Sequence, residues 1–136
     1  MAPVRPPGPG ESGGMENPLD LKTPAAEIWT EERCFITELA NTPADPDCSI
    51  ARARVEPGGI TRWHRLAGVI ERYVILSGCG RAEIGDRPPR EVGPGDAVLI
   101  PAGCRQRIAN TGDVDLVFLA ICTPRFQPAC YEDLGD

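Results

Sequence analysis

Eight short apolar runs, each closed by a cluster of turn-forming residues, organise the chain from about Ala25 onward. They occupy residues 34–39, 48–55, 60–66, 69–76, 81–84, 97–100, 105–109 and 114–122. Between them stand NTPADPD, EPGG, SGCG, GDRPPREVGPGD, PAG and NTGD, rich in the residues that set or tolerate turn dihedrals. Short strands at roughly even spacing predict an all-β sandwich or barrel. A 3.6-residue period is absent, apart from a helical turn expected near residues 25–29. Side chains alternate faces along a strand, so each run sorts into two sets. If His64 points inward, so do Arg62 and Leu66; if Glu71 does, so do Val69, Tyr73 and Ile75. Gln106 likewise carries Cys104 and Ile108 with it. The inner face then holds an apolar wall with a few convergent polar groups, the usual make-up of a small-molecule pocket.

Composition narrows this picture. A chain of 136 residues is expected to form one domain. The expected boundaries are a Pro/Gly-rich disordered segment over residues 1–20, a barrel over 25–123, and a tail, 124–136, packed back on the barrel. A formal charge of −6 disfavours non-specific binding to nucleic acid or to an anionic membrane. No apolar run reaches the 18 residues of a membrane span, and the N-terminal stretch has no apolar core of a secretion signal. The six cysteines show neither a CxxC pair nor other zinc spacing, and without a signal they read as reduced thiols of a cytoplasmic protein.

The sharpest signals are two spaced motifs. From Gly58 the chain reads G-GITRW-H-R-L-AGVI-E-RYVILS-G, ending at Gly78. From Gly95 it reads G-DAVLI-P-A-G-CR-Q-RIA-N, ending at Asn110. In spacing both resemble the paired motifs of the cupins, small single-domain bacterial members above all. The resemblance implies a single jelly-roll-like antiparallel β-barrel, and it departs from the family pattern at two points. Leu66 stands where the second His of the first motif belongs, and Gln106 where the second motif carries His.

In the family those motif positions hold one divalent metal. The resemblance therefore implies a ligand set of His64, Glu71 and Gln106 for Fe, Mn, Ni, Co, Cu or Zn, weakened because an amide oxygen is a poorer ligand than imidazole. It also implies a homodimer and a barrel-mouth pocket for a small organic metabolite, lined by Arg62, Leu66, Cys104 and Ile108. Isomerase-, lyase- or oxygenase-like chemistry would use Glu71 as base with Tyr73 or His64 as acid. With one His in the chain, proton transfer is easier to support than oxygen activation. The alternative is a non-catalytic ligand-binding barrel whose metal site has decayed. Each residue also has a structural reading: His64, Glu71 and Gln106 as a hydrogen-bonded polar cluster with Arg62 or Tyr73, and Cys104 as a small buried thiol.

Overall fold

The eight apolar runs all become strands in the computed structural model, which describes residues 25–136. The disorder expected for residues 1–20 lies outside the described residues. Eleven strands follow in order: β1 (Ile28–Trp29), β2 (Phe35–Ala40), β3 (Ser49–Val55), β4 (Trp63–Leu66), β5 (Ile70–Ser77), β6 (Gly80–Ile84), β7 (Arg90–Val92), β8 (Ala97–Ile100), β9 (Gln106–Asn110), β10 (Leu116–Thr123) and β11 (Tyr131–Gly135). One 3₁₀ turn, Pro128–Cys130, precedes the last strand. Among the described residues no helix is long and apolar enough to cross a membrane.

The strands form two antiparallel sheets, in the orders β1-β2-β3-β10-β5-β8 and β11-β4-β9-β6-β7. Buried residues on β3, β5, β6, β8, β9 and β10 alternate with exposed or half-buried ones, so each sheet turns one apolar face inward. Ile75, Ile100, Ile108, Leu116 and Val55 form the least accessible part of that core. A smaller cluster of Leu66, Val69 and Cys122 packs against Phe126, Cys130 and Tyr131. The all-β architecture read from the pattern, and the antiparallel jelly-roll-like arrangement that the resemblance implies, are those of the molecule.

Three strands escaped the pattern. The helical turn expected near residues 25–29 is instead β1, whose Ile28 and Trp29 pair with Ile36 and Phe35. An edge-to-face contact between Trp29 and Phe35, with centroids 5.0 Å apart, supports that pairing. Strand β7 lies within the charged, Pro-flanked stretch that reads as a turn, and pairs only with β6. Strand β11 is acidic and reads as tail, yet it pairs with β4 over Tyr131 to Gly135. Each lies at a sheet edge or next to one, where one exposed face lets charge replace apolar alternation.

One turn glycine is indispensable. Gly78, at the β5–β6 turn, has φ of 81°, and a Cβ there would stand 2.4 Å from the Asp115 carbonyl oxygen. The first motif ends on glycine because the backbone before β10 passes too close for any side chain.

Candidate functional site

Four of the residues singled out in the sequence meet between the sheets. His64 on β4 is the Cα partner of Gln106 on β9. Glu71 and Tyr73 reach the same region from β5, on the facing sheet. All four are buried, with Gln106 at 1% and His64 at 4% exposure. The Tyr73 hydroxyl donates to Gln106 Oε1. The Gln106 amide nitrogen in turn donates to Glu71 Oε1 at 2.8 Å. The second carboxylate oxygen of Glu71 faces the Cys122 thiol at 3.6 Å. With Glu71 ionised, this chain sets the amide orientation of Gln106, because a carboxylate can then only accept.

His64 is held by its own strand. Its Nδ1 lies 2.8 Å from the Arg62 carbonyl oxygen, which can only accept, so Nδ1 carries the proton. The Tyr131 ring stacks on the imidazole, with centroids 5.3 Å apart and planes 23° from parallel. The tail strand thus closes one side of the site.

The electrostatics are unusual. Burial pushes the Glu71 carboxyl up to about 7, against the opposing pull of the Gln106 hydrogen bond and of His64. A second acid, Glu32, missed in the sequence, adds to the same effect. Its carboxyl lies 3.8 Å from the buried Cys34 thiol, and its backbone carbonyl accepts from the Arg62 amide at 3.1 Å. Desolvation raises Glu32 as well, with His64 pulling the other way. Tyr73 is raised well above its ordinary range by burial and by Glu71, so it serves as a hydrogen-bond donor and not as a source of phenolate. The sequence signal for Glu32 was slight: an acidic residue in TEERC, two positions before an inward cysteine.

Other candidates are placed elsewhere. Arg62, expected in the pocket, turns its guanidinium outward to Asp133 at 3.0 Å and Asp136 at 3.6 Å, drawn by the acidic β11. Strand β4 begins only at Trp63, so strand alternation does not extend to Arg62. Cys104 lies in the turn before β9, half-buried, its Sγ beside Gly85 and 3.7 Å from the Arg105 carbonyl oxygen. Ile108 is fully buried in the main core, and Leu66 is a wall of the smaller cluster.

The donor chemistry of these residues does not fit a bound metal. The Gln106 oxygen is engaged by Tyr73, its amide nitrogen is no ligand, and the fourth position is the aliphatic Leu66. Among the described residues no three His, Cys, Asp or Glu are grouped to hold an ion. The structure thus joins Glu71 and Gln106 with Tyr73 in one hydrogen-bonded chain and sets His64, bonded to the Arg62 carbonyl, on the strand beside Gln106. Elemental analysis of the purified protein is expected to show well under one equivalent of Fe, Mn, Ni, Co, Cu or Zn. The double replacement Leu66→His with Gln106→His is expected to raise this to about one equivalent, since it restores a three-imidazole, one-carboxylate set. A full equivalent in the unmodified protein would refute the donor argument.

Space for a ligand lies one strand away from the cluster. A cleft of about 650 Å³ opens where the sheets part, with Ala82, Ile84, Val92 and Val98 on its walls. Ile84 is the Cα partner of Gln106, and Val98 that of Tyr73. Two wall residues of the cleft are thus strand neighbours of Tyr73 and Gln106, which do not themselves line it. A second hollow, about 270 Å³, lies outside the sheet around Trp63, Asp86 and Arg105 and touches none of these residues.

Residues 51–122 match the cupin-domain family model. No curated protein matches the sequence. Among solved structures, the chain is similar to KdgF from Halomonas sp., with a TM-score of 0.67, 17% identity, and coverage of 77% of this chain and 91% of that one. A predicted oxalate decarboxylase from Thermotoga maritima superposes with a TM-score of 0.65 at 28% identity, over 75% of this chain and 92% of that one. Oxalate decarboxylase from Bacillus subtilis gives 0.70 at 21% identity, over 81% of this chain and only 30% of the longer one.

Proposed function

The chain belongs to the cupin-domain family, and from that premise we propose that it binds a small organic molecule and acts on it by proton transfer. The observation that carries the reading is the buried Tyr73–Gln106–Glu71 hydrogen-bond chain, one strand away from a ligand-sized cleft walled by Ile84 and Val98. Glu71 is the base, because its carboxyl titrates close to neutral pH, where proton abstraction and return are both accessible. Gln106 holds Glu71 in place, and Tyr73 holds Gln106. His64, its Nδ1 bonded to the Arg62 carbonyl, keeps Nε2 as the ring nitrogen without a protein partner among the described residues. Isomerase- or lyase-like chemistry follows from such a set more directly than oxygen activation does. The solved neighbours named for decarboxylation are consistent with small organic substrates in this fold.

A non-catalytic binding role is the second reading. It is favoured by the internal pairing of Gln106, whose amide oxygen and nitrogen are each already bonded to a buried neighbour.

Deuterium incorporation separates the two. Small carbonyl and hydroxy compounds incubated with the protein in heavy water are expected to exchange a C–H proton, with chelator present or absent. Glu71→Gln should slow that exchange by about a hundredfold or more. Binding without exchange would leave only the second reading, and exchange abolished by chelator would overturn both this mechanism and the donor argument above.

A further inference from the structure

We propose that the cleft between β6, β7 and β8 is a binding site for an organic carboxylate with an apolar body, held by Arg87 and Arg90. The inference rests on the small-molecule reading above only in taking this cleft as the approach to the cluster.

Its volume, about 650 Å³, suits a ligand of drug-like size. The walls are apolar on both sheets: Ala82, Ile84 and Val92 on one, Val98 on the other. Arg90 is the Cα partner of Ala82, so its side chain shares the inner face of the sheet with that buried alanine. Arg87 follows from the β6–β7 turn, which is closed by its amide donating to the Ile84 carbonyl oxygen at 3.1 Å.

Charge singles this place out. The protein carries −6 overall, and Arg33, Arg54, Arg62, Arg65, Arg81, Arg105 and Arg107 are each engaged by a carboxylate. Arg52, Arg72, Arg87, Arg90 and Arg125 have no such partner among the described residues, and of these five Arg87 and Arg90 line the cleft. The two acids beside them are already occupied. Glu91 pairs with Arg81 at 2.9 Å, and Asp96 accepts from the Gly93 amide at 2.8 Å. Two guanidinium groups without an ion-pair partner therefore stand at the apolar walls, in a lining that also holds Glu91 and Asp96, and a planar carboxylate is the anion their fork geometry matches. The apolar body would lie along Ile84 and Val98, directed at Tyr73 and Gln106.

The test uses the full chain with 3-phenylpropionate and its neutral analogue, 3-phenylpropionamide, followed by calorimetry and by methyl NMR. The carboxylate is expected to bind saturably and to move the Ile84 and Val98 methyl signals. The amide should bind at least about tenfold more weakly, and Arg87→Gln with Arg90→Gln should weaken the carboxylate by about the same factor. Equal binding of acid and amide would overturn the proposal. So would binding indifferent to the two arginines, signals that move elsewhere, or no saturable binding at millimolar concentration. In the double variant the Glu71 titration, read by carbon-13 NMR, is a separate measurement. A failed carboxylate experiment with Glu71 still titrating near neutral pH would sink the cleft alone, and a normal Glu71 titration would count against the proton-transfer reading alone.

Discussion

Raising the pH from 5 to 8 is expected to destabilise the protein by about 3 kcal/mol, and Glu71→Gln to remove most of that loss. In the folded chain the Glu71 carboxyl is pushed up to about 7 from an ordinary 4.5, chiefly by burial. A raised acid binds its proton more tightly folded than unfolded. Below pH 4.5 both states are protonated and the difference does not matter. Between about 4.5 and 7 the unfolded chain releases its proton first, so unfolding becomes more favourable as pH rises. Above 7 the loss is complete, and it corresponds to about 3 kcal/mol at 1.36 kcal/mol per pH unit. Glu32, raised by the same desolvation, moves stability in the same direction. The surface acids Glu27, Glu132 and Asp133, held low mainly by hydrogen bonds from Arg54, Arg65, Gly135 and Arg62, act below this window and with opposite sign. Glu71→Gln keeps the shape and still accepts from Gln106, but has no charge to bury. Urea unfolding at several pH values should therefore give a steep profile for the natural chain and a flatter one for the variant, which becomes the more stable at pH 8. Parallel profiles would show that Glu71 ionises at little cost, and the buried-acid argument would fail.

How far the sequence foretold this site depends on where strands begin. Alternation placed Glu71, Tyr73, Gln106 and Ile108 correctly because β5 and β9 run through those positions. It misplaced Arg62 because β4 starts one residue later, and it carried Cys104 inward from outside the strand: that residue lies in the turn two residues before β9, half-buried and packed against the main core. Parity holds only within a pleat. The motif spacing located turns well, as at Gly78, since close backbone approach there admits only glycine. What spacing could not show was pairing across the sandwich. Tyr73 and Gln106 are 33 residues apart and sit on opposite sheets, and their hydrogen bond decides the amide orientation and with it the fit to a metal. Glu32 and Tyr131 were obscure for a related reason. They come from the loop after β1 and from β11, elements whose composition reads as turn and tail.

Asn110, the last residue of the second motif, is the clearest case of a motif position that is structural. Its amide nitrogen donates to the Val55 carbonyl oxygen at 2.9 Å and to that of Val114 at 2.8 Å. Its amide oxygen accepts from the Gly112 backbone at 2.9 Å. One buried side chain thereby joins the end of β3, the end of β9 and the turn that leads into β10. No other residue type offers two donors and an acceptor in so short a reach, which accounts for asparagine at this position. Asn110→Ala removes three hydrogen bonds and leaves two carbonyls and one amide to find other partners in a site with little room for water. The expected cost is about 3–5 kcal/mol, at roughly 1–3 kcal/mol for each group left unpaired, with some relief from relaxation. Asn110→Asp tests the same account with almost no change in shape. It retains the acceptor for Gly112 but sets carboxylate oxygens against two carbonyls, so it should be at least as damaging as alanine at pH 8. Acidification toward pH 4 should restore part of the loss, because a protonated carboxyl can again donate to one carbonyl. If either variant unfolds within about 1 kcal/mol of the natural chain, the bridging role is refuted and the motif asparagine needs a different explanation.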